Sequence, residues 1–313
     1  MYEFDEIEGH KLVEQIPKSL ESNFEDIKCH AFPESTVGST VYQDDVTYSF
    51  RVRNEHSFQY ATTYFKCRRD KRKSRGCIQR SLVLLSRFPF FSLFRKLLLE
   101  QIGPAFFQHG SSALEAAFTA ISQWPDLNKV TSGNKISLPL FGSVLKFHAP
   151  ERIQHENEID DVSLYLMVGD TSLMWNLWEI MIAGEPLIVF GQTPEQCSEV
   201  VLSLVSIISP LISACDYRPY LSISSKVAGT IIRAHDAGDI LPVVMGVTNQ
   251  FWLKSLPRWP NVRNIFFHSY DFLFKILHTH KHYTRSSCWD NPNFCLKRKN
   301  QETFVLSKAI YLF

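Results

Sequence analysis

One short segment combines residue types that bind phosphate in many nucleotide-binding proteins. In "VFGQTPEQC", residues 189–197, an apolar run meets a loop with Gly191, and a Thr-Pro pair opens a long apolar-periodic segment. This order predicts a strand, a loop and a helix. A phosphate loop needs clustered glycines, and a Walker loop adds a lysine. This segment has one glycine and no lysine. Thr193 is therefore predicted to cap its own helix, with Pro194 at the first helical position and Gln196 closing a capping box.

Two further groups have the residue types for chemistry. Cys197 lies in the first turn of that helix, where the helix dipole lowers a thiol's pKa. No base for it is evident in the sequence, and a lone cysteine is more often a small buried apolar side chain. Near the end of the chain, histidines alternate ahead of two cysteines, but this spacing matches no closed zinc module. These residues are His278, His280, His282, Cys288 and Cys295.

Sequence motifs for catalysis are absent. The chain contains no Gly-x-Ser-x-Gly elbow, no His-Glu-x-x-His and no dinucleotide fingerprint. We therefore predict no catalytic residue, no metal site and no cofactor.

A basic cluster occupies residues 68–75, around the single acidic residue Asp70. Such a cluster can attract the phosphates of RNA or of anionic lipids through charge, and the structural alternative is a solvated loop. The sequence shows no aromatic stacking platform beside it of the kind that binds single-stranded nucleic acid, so nucleic acid is not expected as a partner. The basic residues are Arg68, Arg69, Lys71, Arg72, Lys73 and Arg75.

Length and composition indicate an ordinary globular protein. The chain has 313 residues, 45% of them hydrophobic and 21% charged, with a formal net charge of +1. This length suits about two domains. Seven widely separated cysteines predict reduced thiols. No apolar tract reaches the roughly 20 residues of a membrane span, and the acidic N-terminus is unlike a signal peptide, which predicts a cytosolic protein.

The first part of the chain reads as antiparallel strands followed by helices. Gly9-His10 is predicted as the turn of an opening hairpin. Residues 46–53 alternate between apolar and polar types, which predicts a half-buried strand. Two more strands, 59–67 and 77–86, flank the basic cluster. A helix should begin after Pro89 and stop at Gly103-Pro104, and a second helix should run over 111–124.

The second part alternates between β-like and helical segments. The polar stretch 125–135 is predicted as a domain boundary, and a strand follows at 142–150. Residues 171–184 are apolar on most faces and predict a buried helix. Three β-like runs, "PLIVF", "YLSI" and "LPVVMGV", are separated by helix-length segments, which predicts a mostly parallel sheet covered on both faces. No element is predicted after residue 265.

Several blocks taken together resemble DENN-domain proteins in content and order. The chain is most similar to the sixth DENN subfamily, guanine nucleotide exchange factors for Rab-family GTPases, over residues 2–265. "GEPL" and "GVTN" are the most specific parts of the match. The blocks are "AFPES", "RSLVLLSRFPFFSLFRKLL", "ISQWP", "LPLFGSVLKFHAP", "LWEIMIAGEPLIVFGQTPEQCSEVVLSLVSIISPL", "DYRPYLSI" and "VMGVTNQFWLKSLPRWP".

The resemblance implies an α/β protein with two lobes. A longin-like antiparallel α+β lobe is expected at 1–128, and a Rossmann-like, mostly parallel α/β lobe at 129–267. The family continues into a helical downstream lobe. Residues 268–313 are instead expected to be an atypical tail, with the downstream lobe absent.

The resemblance also implies a function without bond chemistry. A Rab exchange factor binds the nucleotide-free GTPase, works in endosomal membrane traffic, and is cytoplasmic with recruitment to recycling endosomes, where it contacts anionic membrane. The alternative is a non-catalytic DENN module that binds GTPase or membrane without exchange. Partners of doubly wound sheets meet the loops beyond the carboxyl ends of the strands. Those loops carry the predicted partner-binding residues Gln192, Thr193, Glu195, Thr248 and Asn249.

Overall fold

The computed structural model describes residues 1–5, 7–34, 45–54, 57–72, 76–125, 135–148 and 171–265. All of them fall within one of the two units into which the chain divides, residues 1–267, and the other unit, 268–313, lies outside the described residues. The described fold is mixed α/β. It contains a five-stranded antiparallel sheet, a four-stranded parallel sheet and a two-stranded hairpin. We call the described part of residues 1–148, with the antiparallel sheet and the hairpin, the antiparallel-sheet lobe, and residues 171–265, with the parallel sheet, the parallel-sheet lobe. Both belong to the same unit, residues 1–267.

Helices and strands alternate one by one in the last described range, from residue 171 onward, and are grouped before it. The strands are β1 (Tyr2–Asp5), β2 (Gly9–Leu12), β3 (Val46–Arg53), β4 (Phe58–Arg69), β5 (Cys77–Ser86), β6 (Lys135–Leu140), β7 (Ser143–His148), β8 (Leu187–Phe190), β9 (Asp216–Arg218), β10 (Val243–Val247) and β11 (Asn261–Asn264). The helices are α1 (Phe24–His30), α2 (Phe91–Lys96), α3 (Gly103–His109), α4 (Ser111–Ser122), α5 (Thr171–Ala183), α6 (Pro194–Ile207), α7 (Lys226–Asp236) and α8 (Phe251–Ser255). A π-helical segment, Leu97–Ile102, joins α2 to α3.

The antiparallel sheet has the order β2-β1-β5-β4-β3. The opening hairpin is confirmed, but its turn lies earlier than predicted, because Asp5 pairs with Gly9 and His10 pairs with Phe4. The hairpin of β4 and β5 is also confirmed, with the described part of the basic cluster, residues 68–72, at its tip. Gly76 has a φ of +69° where the chain enters β5, a backbone conformation that side chains disfavour.

Strand β3 is buried on both faces, so the prediction of a half-buried strand is wrong. Its apolar residues, such as Phe50, pack in the core of the antiparallel-sheet lobe. Its polar residues Thr47, Ser49 and Arg51 are buried as well, because helix α6 of the parallel-sheet lobe packs against this strand, and only the last residue of the strand is exposed. The Ser49 backbone N–H donates to Ser198 Oγ at 3.3 Å. The alternating pattern thus marks a face that contacts the second lobe.

Gly103 and Pro104 do not end the helix, contrary to the prediction. The π-helical segment precedes them, and Pro104 falls in the first turn of α3, where its missing N–H is tolerated. A Cβ atom on Gly103 would lie 2.8 Å from the Tyr64 ring. Glycine at this position therefore serves close packing on the sheet. The predicted second helix is confirmed as α4.

Strands β6 and β7 form a hairpin in which the sequence predicted only the second strand. The chain turns at Phe141 and Gly142, with φ values of 48° and 79°. Leu138 and Phe147 of the hairpin join the buried cluster that contains Phe94 of α2. Of the predicted boundary at 125–135, residues 126–134 lie outside the described residues.

The parallel sheet has the order β11-β8-β10-β9, and all of its strands are parallel. Its two faces are buried in different clusters, since Val189 packs with α5 and α6 while Ile188 packs with α7 and α8. The prediction of a covered parallel sheet is confirmed. Two details differ. Strand β9 precedes "YLSI" rather than containing it, and β11 was not predicted.

Helix α5 forms where predicted but is buried on one side only. Leu177 and Met181 are buried, whereas Trp175 is 57% exposed and Ile182 is 44% exposed. Its apolar residues occupy more faces than its neighbours cover, so the prediction of a buried helix is confirmed for one side only. No helix in the described ranges is long and apolar enough to cross a membrane.

Candidate functional site

The loop after β8 satisfies the start of its own helix. Thr193 Oγ1 accepts a hydrogen bond from the Gln196 backbone N–H at 3.3 Å, which confirms the predicted cap. The Gln196 side chain accepts from the backbone N–H of Gln192 at 3.3 Å rather than from that of Thr193. The reciprocal bond of the capping box is therefore shifted by one residue. Two donors that a phosphate loop would offer to its ligand are used inside the protein.

Gly191 and Cys197 pack against each other beneath this loop. A Cβ atom on Gly191 would lie 2.8 Å from Cys197 Sγ, and the Gly191 N–H donates to the Val247 carbonyl at 3.0 Å. The Cys197 thiol donates to the same carbonyl at 3.1 Å. Burial raises the pKa of Cys197 to about 12. The thiol is therefore protonated at neutral pH, which agrees with the structural role favoured by the sequence.

A carboxylate of the antiparallel-sheet lobe lies beyond the carboxyl ends of β9 and β10. Glu34 follows α1 and reaches across to the other lobe. Its Oε1 accepts from the Ile223 backbone N–H at 2.9 Å and from Ser222 Oγ at 2.5 Å. Burial raises the pKa of Glu34 despite these hydrogen bonds. In open α/β sheets, ligands bind at this end of the strands. In this chain the protein's own acidic side chain lies there.

Two predicted partner-binding residues support that contact between the lobes. Thr248 is fully buried, and its hydroxyl donates to the Glu34 carbonyl at 2.9 Å. The Asn249 side chain hydrogen-bonds the Glu34 carboxylate and accepts from the Phe251 backbone N–H at 2.9 Å. The Tyr220 hydroxyl accepts from the Glu34 backbone N–H at 2.9 Å. Thr248 therefore has an internal structural role, and Asn249 is half-buried.

The remaining predicted residues lie on the neighbouring loop. Glu195 forms an ion pair with Arg95 of α2, and Glu199 contacts the same guanidinium. Thr193 is half-buried as the cap, and Gln192 is exposed. The Gly191–Val247 hydrogen bond joins this loop to the end of β10. The structure thus places all five residues near the carboxyl ends of β8 and β10, and Gln192 is the most accessible of them.

A buried arginine makes a second contact between the lobes. Arg51 of β3 is 3% exposed; its Nε donates to the Tyr217 carbonyl at 2.5 Å, and it forms an ion pair with Asp216. The guanidinium lies 3.5 Å from the centre of the Tyr217 ring and 4.0 Å from that of Phe58. Arg218 binds the same Asp216 carboxylate at 2.8 Å. Neither Arg51 nor Glu34 was identified from the sequence, where each is one polar residue among many.

The tip of the β4–β5 hairpin is basic and accessible. Arg68, Lys71 and Arg72 are exposed, and Arg72 Nε lies 3.2 Å from Asp70 Oδ1. The Arg68 guanidinium lies 5.6 Å from the centre of the Phe107 ring on α3. The sequence did not indicate this aromatic neighbour, because 39 positions separate the two. The Arg69 side chain, Lys73 and Arg75 lie outside the described residues.

Metal ligands do not cluster in the part of the chain that the structure describes. No group of three or more His, Cys, Asp or Glu side chains there could hold an ion. The histidines and cysteines between 278 and 295 lie outside it.

Comparison with known proteins places the chain in a family. No family model matches it. It is 30% identical to Protein DENND6 homolog of Dictyostelium discoideum, over 75% of this chain and 44% of that protein. It is 32% identical to human Protein DENND6B over 72% of this chain and 42% of that protein, and 33% identical to chicken Protein DENND6A over 68% and 39%. The chain thus spans about two fifths of the length of these relatives. It is a DENN-domain protein similar to the DENND6 proteins.

Proposed function

We propose that the chain is a guanine nucleotide exchange factor for a Rab-family GTPase in endosomal membrane traffic. In this proposal the antiparallel-sheet lobe is the longin-like lobe, and the parallel-sheet lobe is the Rossmann-like lobe. Similarity to the DENND6 proteins supports a function in regulating Rab GTPases. The observation that carries the proposal is Glu34, whose hydrogen bonds lie beyond the carboxyl ends of β9 and β10, where open α/β sheets bind ligands. This position supports a protein-binding use of the parallel sheet rather than a nucleotide-binding one.

The mechanism requires binding energy rather than bond chemistry. An exchange factor binds the nucleotide-free GTPase more tightly than the loaded form. By reciprocity, it lowers the affinity of the GTPase for nucleotide by the same factor. A thousandfold faster release corresponds to about 4 kcal/mol of contacts specific to the opened GTPase. The protonated, buried Cys197 thiol has no part in this mechanism.

The proposed GTPase surface lies beyond the carboxyl ends of the parallel strands β8 and β10. Gln192 is exposed on the loop after β8, and Asn249 ends the loop after β10. Phe251 follows Asn249 closely and is 54% exposed, which is unusual for a large aromatic side chain. Aromatic side chains dominate the energetics of many protein interfaces. We expect Phe251 to be an anchor of this surface, with the two polar residues fixing its orientation.

The basic hairpin tip is proposed to assist recruitment to recycling endosomes. Arg68, Lys71 and Arg72 are exposed there and can attract the anionic lipids of a cytoplasmic membrane leaflet. This attraction would be non-specific and sensitive to salt.

A second candidate function is a DENN module that binds a GTPase or a membrane without promoting exchange. The chain spans 44% or less of the length of the relatives compared above. This short span favours keeping the alternative. In the relatives, residues outside the matched part could contribute to exchange.

Direct binding measurements separate these functions from a protein with no GTPase partner. The full chain would be titrated by calorimetry with a panel of purified Rab GTPases, each in its nucleotide-free and its GDP-bound form. An exchange factor binds one Rab much more tightly without nucleotide, whereas the non-catalytic module binds both forms alike. Phe251→Ala should weaken binding at least tenfold, and the matched control Val144→Ala, at another exposed apolar residue, should not. Absence of binding to every Rab would contradict the exchange factor and the GTPase-binding form of the module, and only membrane binding would then be left.

A further inference from the structure

The turn of the β6–β7 hairpin holds a bulky side chain in a backbone conformation that favours other residues. Leu140 pairs with Ser143, so Phe141 and Gly142 are the two central residues of the turn. Their φ values of 48° and 79° are both positive, as in a type I′ turn. Asn-Gly is the favoured pair for such a turn, and a bulky side chain at its first position is uncommon. Formation of the turn therefore does not explain the phenylalanine.

Packing in the core does not explain Phe141 either. Its side chain is 43% exposed and belongs to none of the buried clusters of the described residues. All four residues from 141 to 144, which we call the Phe141 turn, are exposed, and Val144 is 58% exposed. Backbone strain that brings no gain in packing is typical of functional sites.

The exposed face of this hairpin changes from apolar to basic along its length. Beside the turn, Pro139 pairs with Val144, and both are exposed. Two residues farther along each strand, and hence on the same face, Ser137 pairs with Lys146. Lys135, at the start of β6, is the second exposed lysine of this face. The hairpin itself contains no Asp or Glu.

This order of residues matches the layers of a membrane surface. Two residues of an antiparallel strand span about 7 Å, so the backbone of Lys146 lies about that far behind that of Val144. Apolar side chains of peripheral proteins enter a membrane to a depth of about 5 to 10 Å. With the turn at that depth, the two lysines lie at the level of the anionic head groups and attract them. The separation of apolar from basic residues along the hairpin favours a lipid surface over an apolar pocket of another protein.

We propose that the Phe141 turn inserts into an anionic lipid surface, with Phe141 and Val144 in the apolar layer and Lys135 and Lys146 at the head groups. This membrane contact differs from the basic tip of the β4–β5 hairpin, whose attraction is electrostatic and is screened by salt. The apolar part of the new contact persists at high salt. The Phe141 turn lies in the antiparallel-sheet lobe, apart from the proposed GTPase surface, and its binding to lipid requires no GTPase.

Phe141→Asn separates a lipid-binding role from a structural one. Asparagine suits the turn, so the variant should unfold at a higher urea concentration than the native chain. Its affinity for vesicles of phosphatidylcholine and phosphatidylserine, measured by co-sedimentation of the full chain, should nevertheless fall at least fivefold at low and at high salt. Adding Val144→Ser should bring the loss to at least tenfold, because less apolar surface enters the membrane. The matched control, Ile212→Ser with Val262→Ser, changes two exposed apolar residues of the other lobe and should leave the affinity unchanged.

Tryptophan fluorescence tests which end of the hairpin enters the membrane. Phe141→Trp and Ser137→Trp would be compared on vesicles that carry bromine on their acyl chains, which quenches tryptophan in the apolar layer. We expect the fluorescence added by Phe141→Trp to be quenched and that added by Ser137→Trp to be largely unaffected. Equal quenching at the two positions would overturn the proposal. So would native chain that does not bind the vesicles, full affinity of Phe141→Asn with Val144→Ser, an equal loss in the control, or a Phe141→Asn chain less stable than the native one.

Discussion

The backbone N–H of Ile223 donates a hydrogen bond to the carboxylate of Glu34 at 2.9 Å, across 189 positions of the chain. The two residues belong to different lobes, and they meet where an open α/β sheet would bind a ligand. This contact joins the two lobes at that end of the sheet. It also makes the stability of the joint depend on the ionisation of one carboxyl group.

Glu34→Ala should lower the free energy of unfolding by about 2 kcal/mol, because several donors lose their acceptor. Glu34→Gln keeps an acceptor oxygen and should cost less. Both effects would be measured by urea unfolding at pH 7. A larger loss for the glutamine variant than for the alanine variant would contradict this assignment of the contacts.

The stability difference between the native chain and Glu34→Gln should depend on pH. Burial raises the pKa of Glu34 above its ordinary value of 4.5, so the folded chain binds the proton more tightly than the unfolded chain. The contribution of this group to stability is therefore greatest below pH 4.5 and falls as the pH rises through the folded pKa. The free energy of unfolding would be measured for both proteins at a series of pH values from 4 to 8. As the pH falls, that of the native chain should rise relative to that of Glu34→Gln. The opposite trend would mean that the pKa is lowered.

Arg51→Met should lower the free energy of unfolding by about 3 kcal/mol, since it removes a buried charge that binds Asp216 and the Tyr217 carbonyl. Arg53→Met is the matched control on the same strand. Arg53 is exposed, and its loss should change stability by no more than about 0.5 kcal/mol. Equal effects in chemical unfolding would show that the buried arginine contributes little to the joint.

Two glycine-to-alanine substitutions should have opposite effects. A Cβ atom on Gly246 would lie 2.2 Å from the Pro219 carbonyl oxygen and 2.9 Å from Cys197 Cβ, so Gly246→Ala should destabilise the chain by about 3 kcal/mol. On Gly229, within α7, the nearest atom would be 3.7 Å away. Gly229→Ala should stabilise the chain by about 0.5 to 1 kcal/mol, because alanine favours the helix. Denaturant midpoints of the two variants would test this, and a shift of both in one direction would disagree with the packing described.

Charge reversal at the hairpin tip should weaken binding to anionic vesicles. With Lys71→Glu and Arg72→Glu together, co-sedimentation with phosphatidylserine vesicles at low salt should fall at least tenfold, since each basic residue near such a surface contributes about 1 kcal/mol. At high salt the difference should largely vanish. The control, Lys18→Glu with Lys254→Glu, makes the same charge change at exposed residues elsewhere. An equal loss in the control would assign the effect to net charge alone.

Local features of this protein were predictable from its sequence, and contacts between the lobes were not. The cap at Thr193 and the covered parallel sheet depend on residues close together in the chain, and both are confirmed. The burial of β3 was missed because its second face is covered by α6, about 150 positions away. Glu34 lies in a block that carries the family resemblance, but its role depends on where α1 places it against Ile223. A sequence pattern does not contain that information.

The central claim, that the chain promotes nucleotide exchange without binding nucleotide itself, is tested most directly by GDP release. Each purified Rab of a panel would be loaded with fluorescent GDP, and its release would be followed as the full chain is added at increasing concentration. We predict that release from at least one Rab accelerates in proportion to the amount of chain, that Phe251→Ala reduces this acceleration at least tenfold, and that the chain alone takes up no GDP. Release from every Rab at its intrinsic rate, or GDP bound by the chain itself, would contradict the account.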